Sequence, residues 1–282
     1  MFGENIDYLI LRRLAHKRNL ATEDDLNRNI MGSLQPVEEK NIILKKHIVH
    51  FEGKFPISSN LRYLDIGCGK GELTILLAKL GCGHIMGIDI VPRNIATCEF
   101  YANQFDLGHA VQFKCMDIYN WVPPQKYNVL LSLDVFEHIH DPKRLLQRMT
   151  ELVTTNGVVV LTFGPLFHSP FGDHMRGFFR IQIPWRGVLF SEKAILRIRR
   201  ECYRPTDFAD HYQDIVGGLN LMRYSEFQRY VHETGWNFSF LALNPSLKNL
   251  RPLNFVSNIL TRIPFIKDYF VYSVYAILHR ST

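Results

Sequence analysis

Between residues 61 and 163 the chain alternates short, nearly unbroken apolar runs with longer stretches of helical period. Leu61–Ile66, His84–Ile90, Val111–Lys114, Val129–Leu133 and Gly157–Phe163 are the apolar runs. Gly71–Leu80, a stretch opening at Pro92 and another running from Asp141-Pro142 through Leu152 carry the helical spacing. Proline is tolerated in a first helical turn, where its missing N–H has no partner to lose. Runs apolar on both faces are what parallel strands covered by helices require, so the pattern predicts βαβ units around a parallel sheet. The rhythm resumes later, with a helix expected over Tyr224–Thr234, a strand over Trp236–Leu243 and a last strand over Asp268–His279.

The flanks read differently. In residues 1–60, Tyr8, Leu9, Leu11 and Leu14, then Ile42, Ile43, Leu44 and Ile48, recur at helical spacing among basic residues, with Gly32 and Pro36 as breaks; this predicts an N-terminal helical cap. From Gly164 to Gly218 the pattern is lost to Pro165, Pro170, Pro184, Pro205 and a set of aromatics that includes Phe167, Phe171, Phe178, Phe179 and Trp185. A long excursion inside a compact domain is read as a lid over the active site. Four parts are therefore expected: a cap at 1–60, a core at 61–163, a lid at 164–218 and a C-terminal completion of the sheet at 219–282. Residues 250–265 are amphipathic and basic, which suits either packing under the last strands or a peripheral membrane contact. No internal repeat is present.

Composition narrows this only a little. The 282 residues are 46% hydrophobic and 21% charged, the profile of a chain folded throughout. A net charge of +6 suits an acidic substrate, an anionic membrane surface or nucleic acid, and equally a bland solvated surface. Cys68, Cys82, Cys98, Cys115 and Cys202 show no CxxC spacing and read as small apolar fillers in a reducing compartment. No secretory pattern opens the chain and no apolar run approaches the roughly 18 residues of a membrane span, so a cytoplasmic protein is expected.

Candidate chemistry begins at Leu64-Asp65-Ile66-Gly67-Cys68-Gly69-Lys70-Gly71, a strand-to-helix turn in which alternate glycines let the backbone approach a ligand. The spacing is GxGxG preceded by an acid, not the GxGxxG of dinucleotide binders, and no Walker Lys-Ser pair follows. Asp65 would repel a pyrophosphate and suit a ligand bearing an ammonium group. Asp89 ends the second strand, where a carboxylate can accept both hydroxyls of a ribose. Asp117 follows the third and can accept from an adenine amino group, with Ile90, Met116 and Ile118 about the ring. These motifs resemble those of the class I S-adenosylmethionine-dependent methyltransferases, closely over about residues 60–165. The resemblance implies a doubly wound α/β fold with a seven-stranded, mostly parallel sheet of order 3-2-1-4-5-7-6 and the last strand antiparallel. It also implies S-adenosylmethionine as cofactor, held by Asp65, the Gly67–Gly71 loop with Cys68, Asp89, Ile90, Met116, Asp117, Ile118 and Asp134.

Beyond the cofactor, Asp134-Val135-Phe136-Glu137-His138 follows the fourth strand. A helical turn would put Asp134, Glu137 and His138 on one face. His138 is then a candidate base for a hydroxyl acceptor. Alternatively Asp134, Glu137 and His138, completed by the lid's His174, ligate Mg²⁺ or Mn²⁺. Ubiquinone-pathway O-methyltransferases and plant small-RNA 2′-O-methyltransferases carry a similar E-x-x-E-H, from which Asp134 departs. His168 and His174, directly after strand five, are further candidates for base or substrate contact. Ser191-Glu192 reads as a helix start, and Lys193, Arg197, Arg199, Arg200 and Arg204 beyond it suit a phosphate-bearing substrate. The lid resembles that of bacterial methyltransferases from surface-polysaccharide clusters, which implies O-methylation of a sugar or of a glycan- or lipid-linked intermediate. A quinone or phenolic acceptor is the alternative. RNA is disfavoured because no RNA-binding module or continuous basic stripe is present, and a non-catalytic cofactor-binding module is the remaining class. Oligomeric state is not legible.

Overall fold

The computed structural model describes residues 3–16, 47–245, 256 and 258–281. The expected breaks at Gly32 and Pro36, the apolar residues Ile42–Leu44, and residues 250–255 and 257 of the amphipathic stretch lie outside them.

One seven-stranded sheet of order β3-β2-β1-β4-β5-β7-β6 organises the chain. Its strands are β1 (Tyr63–Ile66), β2 (Ile85–Asp89), β3 (Val111–Cys115), β4 (Tyr127–Leu133), β5 (Val153–Phe163), β6 (Trp236–Pro245) and β7 (Val271–Arg280). β1 to β5 pair in parallel, and β7 runs antiparallel to both β5 and β6. The expected doubly wound order is therefore present. Each continuous apolar run is sorted by the pleat: Leu130 of β4 packs with Leu145, Met149 and Phe227 on one face. Val129 and Leu131 pack with Phe51, Leu73 and Leu77 on the other. That two-sided burial is why these runs show no alternation in sequence. The covering helices are α1 (Glu4–Leu14), α2 (Glu72–Lys79), α3 (Pro92–Gln104), α4 (Pro142–Leu152), α5 (Glu192–Cys202) and α6 (Tyr224–Glu233), with a single extra turn at Arg186–Leu189. Trp236, fully buried, donates its indole N–H to the carbonyl of Leu146 at 3.0 Å, tying β6 to α4.

The last strand begins later than the apolar pattern predicts. Asp268 is not in it: its carboxylate accepts from the backbone N–H and the hydroxyl of Ser225, at 2.9 and 2.6 Å, and so braces the first turn of α6. Four cysteines are buried and Cys115 is exposed, and all five are free thiols.

α1 packs on α5 rather than on the sheet. Leu11 and Ala15 share a core with lid residues Phe167, Phe179, Ile195 and Ile198, and Asp7, buried, accepts the backbone N–H of Ser191 at 2.8 Å. The start of α5 is thus capped from another helix, where the sequence suggested Ser191 as its own cap. Residues 47–55 belong instead to the sheet: Phe51 and Phe55 pack against Phe240 and Tyr275 at the β6–β7 edge. Among the described residues no helix is long and apolar enough to cross a membrane.

Candidate functional site

The strand order reverses between β1 and β4, and a doubly wound sheet opens a crevice at the carboxyl ends of its strands there. A cleft of about 280 Å³ lies at that point, with Asp65, Gly67, Gly69, Asp134, Val135 and His47 among its walls. The glycine loop forms its floor for steric reasons. Gly67 has φ +74°, and a Cβ there would stand 2.7 Å from a methyl carbon of Val135. Gly71, at φ +80°, would press a Cβ to 2.9 Å from the Cys98 sulfur. Above Gly69 the space is open. These features fit a nucleoside cofactor laid across the loop.

The three predicted acids take different stations. Asp65 is 2% exposed, and its Oδ2 accepts the Thr74 hydroxyl at 2.7 Å. Burial pushes its carboxyl up to about 6, opposed by the Thr74 hydrogen bond and reinforced by the neighbouring charge of Asp89. Asp89 holds the loop in shape: Oδ2 accepts Gly69 N–H at 2.9 Å, and Oδ1 accepts Val91 N–H at 2.8 Å and the Asn94 amide at 3.2 Å. Asp117 folds back on its own turn, accepting Tyr119 N–H at 2.9 Å and the Asn120 side chain at 3.3 Å. Around it Ile90 is exposed and Met116 half-buried, while Ile118 is packed into the core beside Trp121 and Tyr127.

The D-x-x-E-H segment does not turn as a regular helix. Asp134 has φ +55°, a left-handed conformation that Asp tolerates better than most residues, and its N–H donates to Thr162 O at 2.8 Å. A 3-10 turn follows at Phe136–His138. It sends Glu137 inward, 2% exposed, with Oε1 accepting Gly164 N–H at 3.0 Å, and leaves His138 on the surface. The expected ligand set of Asp134, Glu137, His138 and His174 therefore does not assemble. Among the described residues no group of three or more His, Cys, Asp or Glu side chains is placed to hold a metal ion. These residues do not fit the Mg²⁺ or Mn²⁺ that the spacing suggested.

His138 and His174 do come together, with ring centroids 5.4 Å apart and edge to face. His138 Nδ1 lies 2.8 Å from the carbonyl of Gly218, and His174 Nε2 lies 2.9 Å from that of Pro165. A carbonyl oxygen only accepts, so each of these nitrogens carries the hydrogen. His138 Nε2 and His174 Nδ1 are left with lone pairs. Burial holds His174 below the usual imidazole range, against the pull of the Pro165 carbonyl; the nearby charges of His138, Asp173 and Asp134 also act on it. His168 is elsewhere: it packs on Phe167 and, at 5.8 Å, on Tyr269, and burial together with Arg223 lowers its pKa.

The lid is stabilised by its own contacts. Asp173 and Arg186, each with a side chain 1% exposed, form a bidentate pair at 2.7 and 2.9 Å, with the guanidinium 3.9 Å above the Phe179 ring. Phe167 and Phe179 are buried in the lid core, and Trp185 donates to Tyr269 O at 3.0 Å. The phosphate site expected on α5 is largely neutralised from within: Arg197 pairs with Glu201, and the buried Arg199 pairs with Asp207, both at 2.8 Å.

Three participants were missed in the sequence pattern. His47 reaches the cleft from outside the core, with Nδ1 3.2 Å from the Thr162 hydroxyl and Nε2 3.7 Å from the Asp134 carboxylate. Thr162 sits within an apolar strand and reads as filler. Asn220 straps the 3-10 turn, donating to Phe136 O and Ile139 O at 2.8 Å each; its place just after Gly217-Gly218 was the one available hint.

Residues 57–165 match a family described as methyltransferase domain. This part of the chain is similar to methyltransferase domains. The chain is similar to the ubiquinone biosynthesis O-methyltransferase of Bradyrhizobium diazoefficiens, 32% identical over 102 residues, or 36% of this chain and 39% of that protein. It is also similar to the mitochondrial ubiquinone biosynthesis O-methyltransferase of Arabidopsis thaliana, 26% identical over 140 residues, or 46% of this chain and 43% of that protein. The chain thus spans about two fifths of the length of the curated relatives it matches. Its fold is shared with a crystal structure from Listeria monocytogenes described as an S-adenosylmethionine-dependent methyltransferase. That match has a TM-score of 0.55 at 14% identity, covering 88% of this chain and 100% of that one. None of these names a sugar acceptor, and the lid's likeness to polysaccharide-cluster enzymes finds no support in them.

Proposed function

We propose that this chain transfers a methyl group from S-adenosylmethionine to a hydroxyl of a small phenolic or quinol-type molecule, with His138 as the base. The observation that carries the reading is the imidazole pair beside Asp134, whose two outer nitrogens are committed to backbone carbonyls. The names of the quinone-pathway relatives support the acceptor class. Asp65, the Gly67–Gly71 loop and Asp89 would hold the cofactor, with Asp117 and Met116 toward the adenine.

When bound, the cofactor supplies a methyl group already activated on a sulfonium. The protein's task is therefore alignment and proton removal. The hydroxyl that takes the methyl group, with the electron pair of the broken carbon–sulfur bond returning to sulfur as a thioether, would pass its proton to Nε2 of His138. The resulting imidazolium keeps its Nδ1–H on the Gly218 carbonyl, a hydrogen bond that strengthens with the charge. His174, held neutral by burial, does not compete for that proton and accepts from the substrate through Nδ1.

The test is methyl transfer from labelled cofactor to a panel of catechols, hydroquinones and sugar nucleotides. His138→Ala should lower kcat by about 10²–10³-fold while S-adenosylhomocysteine binds by calorimetry as it does to the wild type. Full activity in His138→Ala, or methylation of the sugars alone, would overturn the reading. Turnover should be indifferent to EDTA, in keeping with the inward turn of Glu137.

A further inference from the structure

The cleft wall contributed by His47 does a job that neither the glycine loop nor the imidazole pair performs. His47 lies ten residues before the matched segment and is buried at the mouth of the cleft. Its position is rigid for an identifiable reason. The 3-10 turn Ile48–Phe51 that follows it is nailed to the sheet edge by Phe51, with ring centroids 5.5 Å from Phe55 and 5.7 Å from Phe240, and by His50, 4.3 Å from Tyr275. The imidazole is thereby delivered to Asp134 and Thr162.

The Asp134 backbone is left-handed and donates its N–H to Thr162 O, and its carboxylate is about a third exposed in the cleft. Thr162 Oγ1 lies 3.5 Å from Asp134 Oδ1 and 3.2 Å from His47 Nδ1, and His47 Nε2 faces Asp134 Oδ2 at 3.7 Å. The three side chains form a closed ring that orients one carboxylate. That carboxylate opens the segment that turns to His138 and shares the cleft wall with Gly67 and Gly69, whereas Asp65 is engaged with Thr74.

We infer that His47 is a positioning residue that, with Thr162, aims the Asp134 carboxylate at the sulfonium centre of bound S-adenosylmethionine. This rests on the cofactor reading above. The charge difference between donor and product gives the test: S-adenosylmethionine carries a sulfonium where S-adenosylhomocysteine has a neutral thioether, and both keep the ammonium. A carboxylate aimed at sulfur therefore distinguishes the two, and one aimed at the ammonium does not.

The experiment is calorimetric titration of the full chain with both ligands, for wild type, His47→Ala, His47→Gln and His47→Asn, beside thermal melts and steady-state kinetics. The Gln amide places a donor where Nε2 sits and reaches Asp134; the Asn amide sits where Nδ1 does and reaches only Thr162. The expected result is about a tenfold weaker affinity for S-adenosylmethionine in His47→Ala, with a much smaller change for S-adenosylhomocysteine. KM for the donor should rise more than kcat falls, and the affinity should be recovered in His47→Gln but not in His47→Asn. Equal losses for both ligands, rescue by Asn rather than Gln, or affinity losses that merely track the melting temperatures of all three variants would each overturn the inference. A wild type that binds neither ligand would sink the cofactor reading itself, and a wild type that binds both while His47→Ala is unchanged would sink this inference alone.

Discussion

Asp65 is the residue where packing and chemistry are most directly opposed. An acid raised by burial binds its proton more tightly folded than unfolded, so the fold without ligand gains stability as pH falls from above 6 toward the ordinary carboxylate range, and loses it as pH rises through about 6. The cofactor role proposed for Asp65 needs the opposite state, since only the ionised carboxylate attracts an ammonium. Affinity for S-adenosylhomocysteine should therefore weaken as pH drops below about 6, and calorimetry from pH 5 to 8 checks this. Asp65→Asn should flatten that profile, weaken binding at pH 7.5, and stabilise the unliganded protein by about 1–3 kcal/mol in urea titrations at the same pH. Asp65 was legible because its spacing to Gly67 is local. His47 was not, because its meaning depends on Thr162 and Asp134, 115 and 87 positions away, brought together only by the sheet.

At the scale of elements, the strands and the glycine turn followed from pattern because each is dictated by neighbours in sequence. The segment after β4 did not. Asp134 at φ +55° and the 3-10 turn behind it are imposed by Asn220, by the Gly164 N–H that captures Glu137 and by the Gly218 carbonyl that captures His138. A helical reading of D-x-x-E-H therefore overestimated how much of that motif is available to a ligand. The lid's Asp173–Arg186 pair shows the same dependence on distant context. Asp173→Asn should cost about 3–5 kcal/mol in urea-denaturation experiments, because it strands a buried guanidinium. Replacing both partners by apolar residues of similar volume should cost clearly less, a contrast that a double-mutant cycle would measure.

Across the whole molecule, the expected cap and lid are not separate layers. α1 completes the lid core through Leu11 and Ala15, while residues 47–55 join the sheet edge, a partition that no local periodicity encodes. Leu11→Ala should lower stability by about 2–4 kcal/mol, and limited proteolysis of that variant should cut within 164–218 before it reaches the strands of the sheet. The sheet order, by contrast, was legible through the family resemblance that the glycine loop and the strand-end acids carry, and the seven strands take that order. One arrangement has an outcome for redesign. The carbonyls that steer the two imidazoles, Pro165 and Gly218, are the roots of the excursion between them, so on the proposed role of His138 the proton acceptor's aim is borrowed from the loop it sits beneath. Anyone exchanging that loop to change which molecule is accepted should splice inside its roots, keeping both as reins on the histidines, or the new enzyme will recognise its guest and fail to react with it.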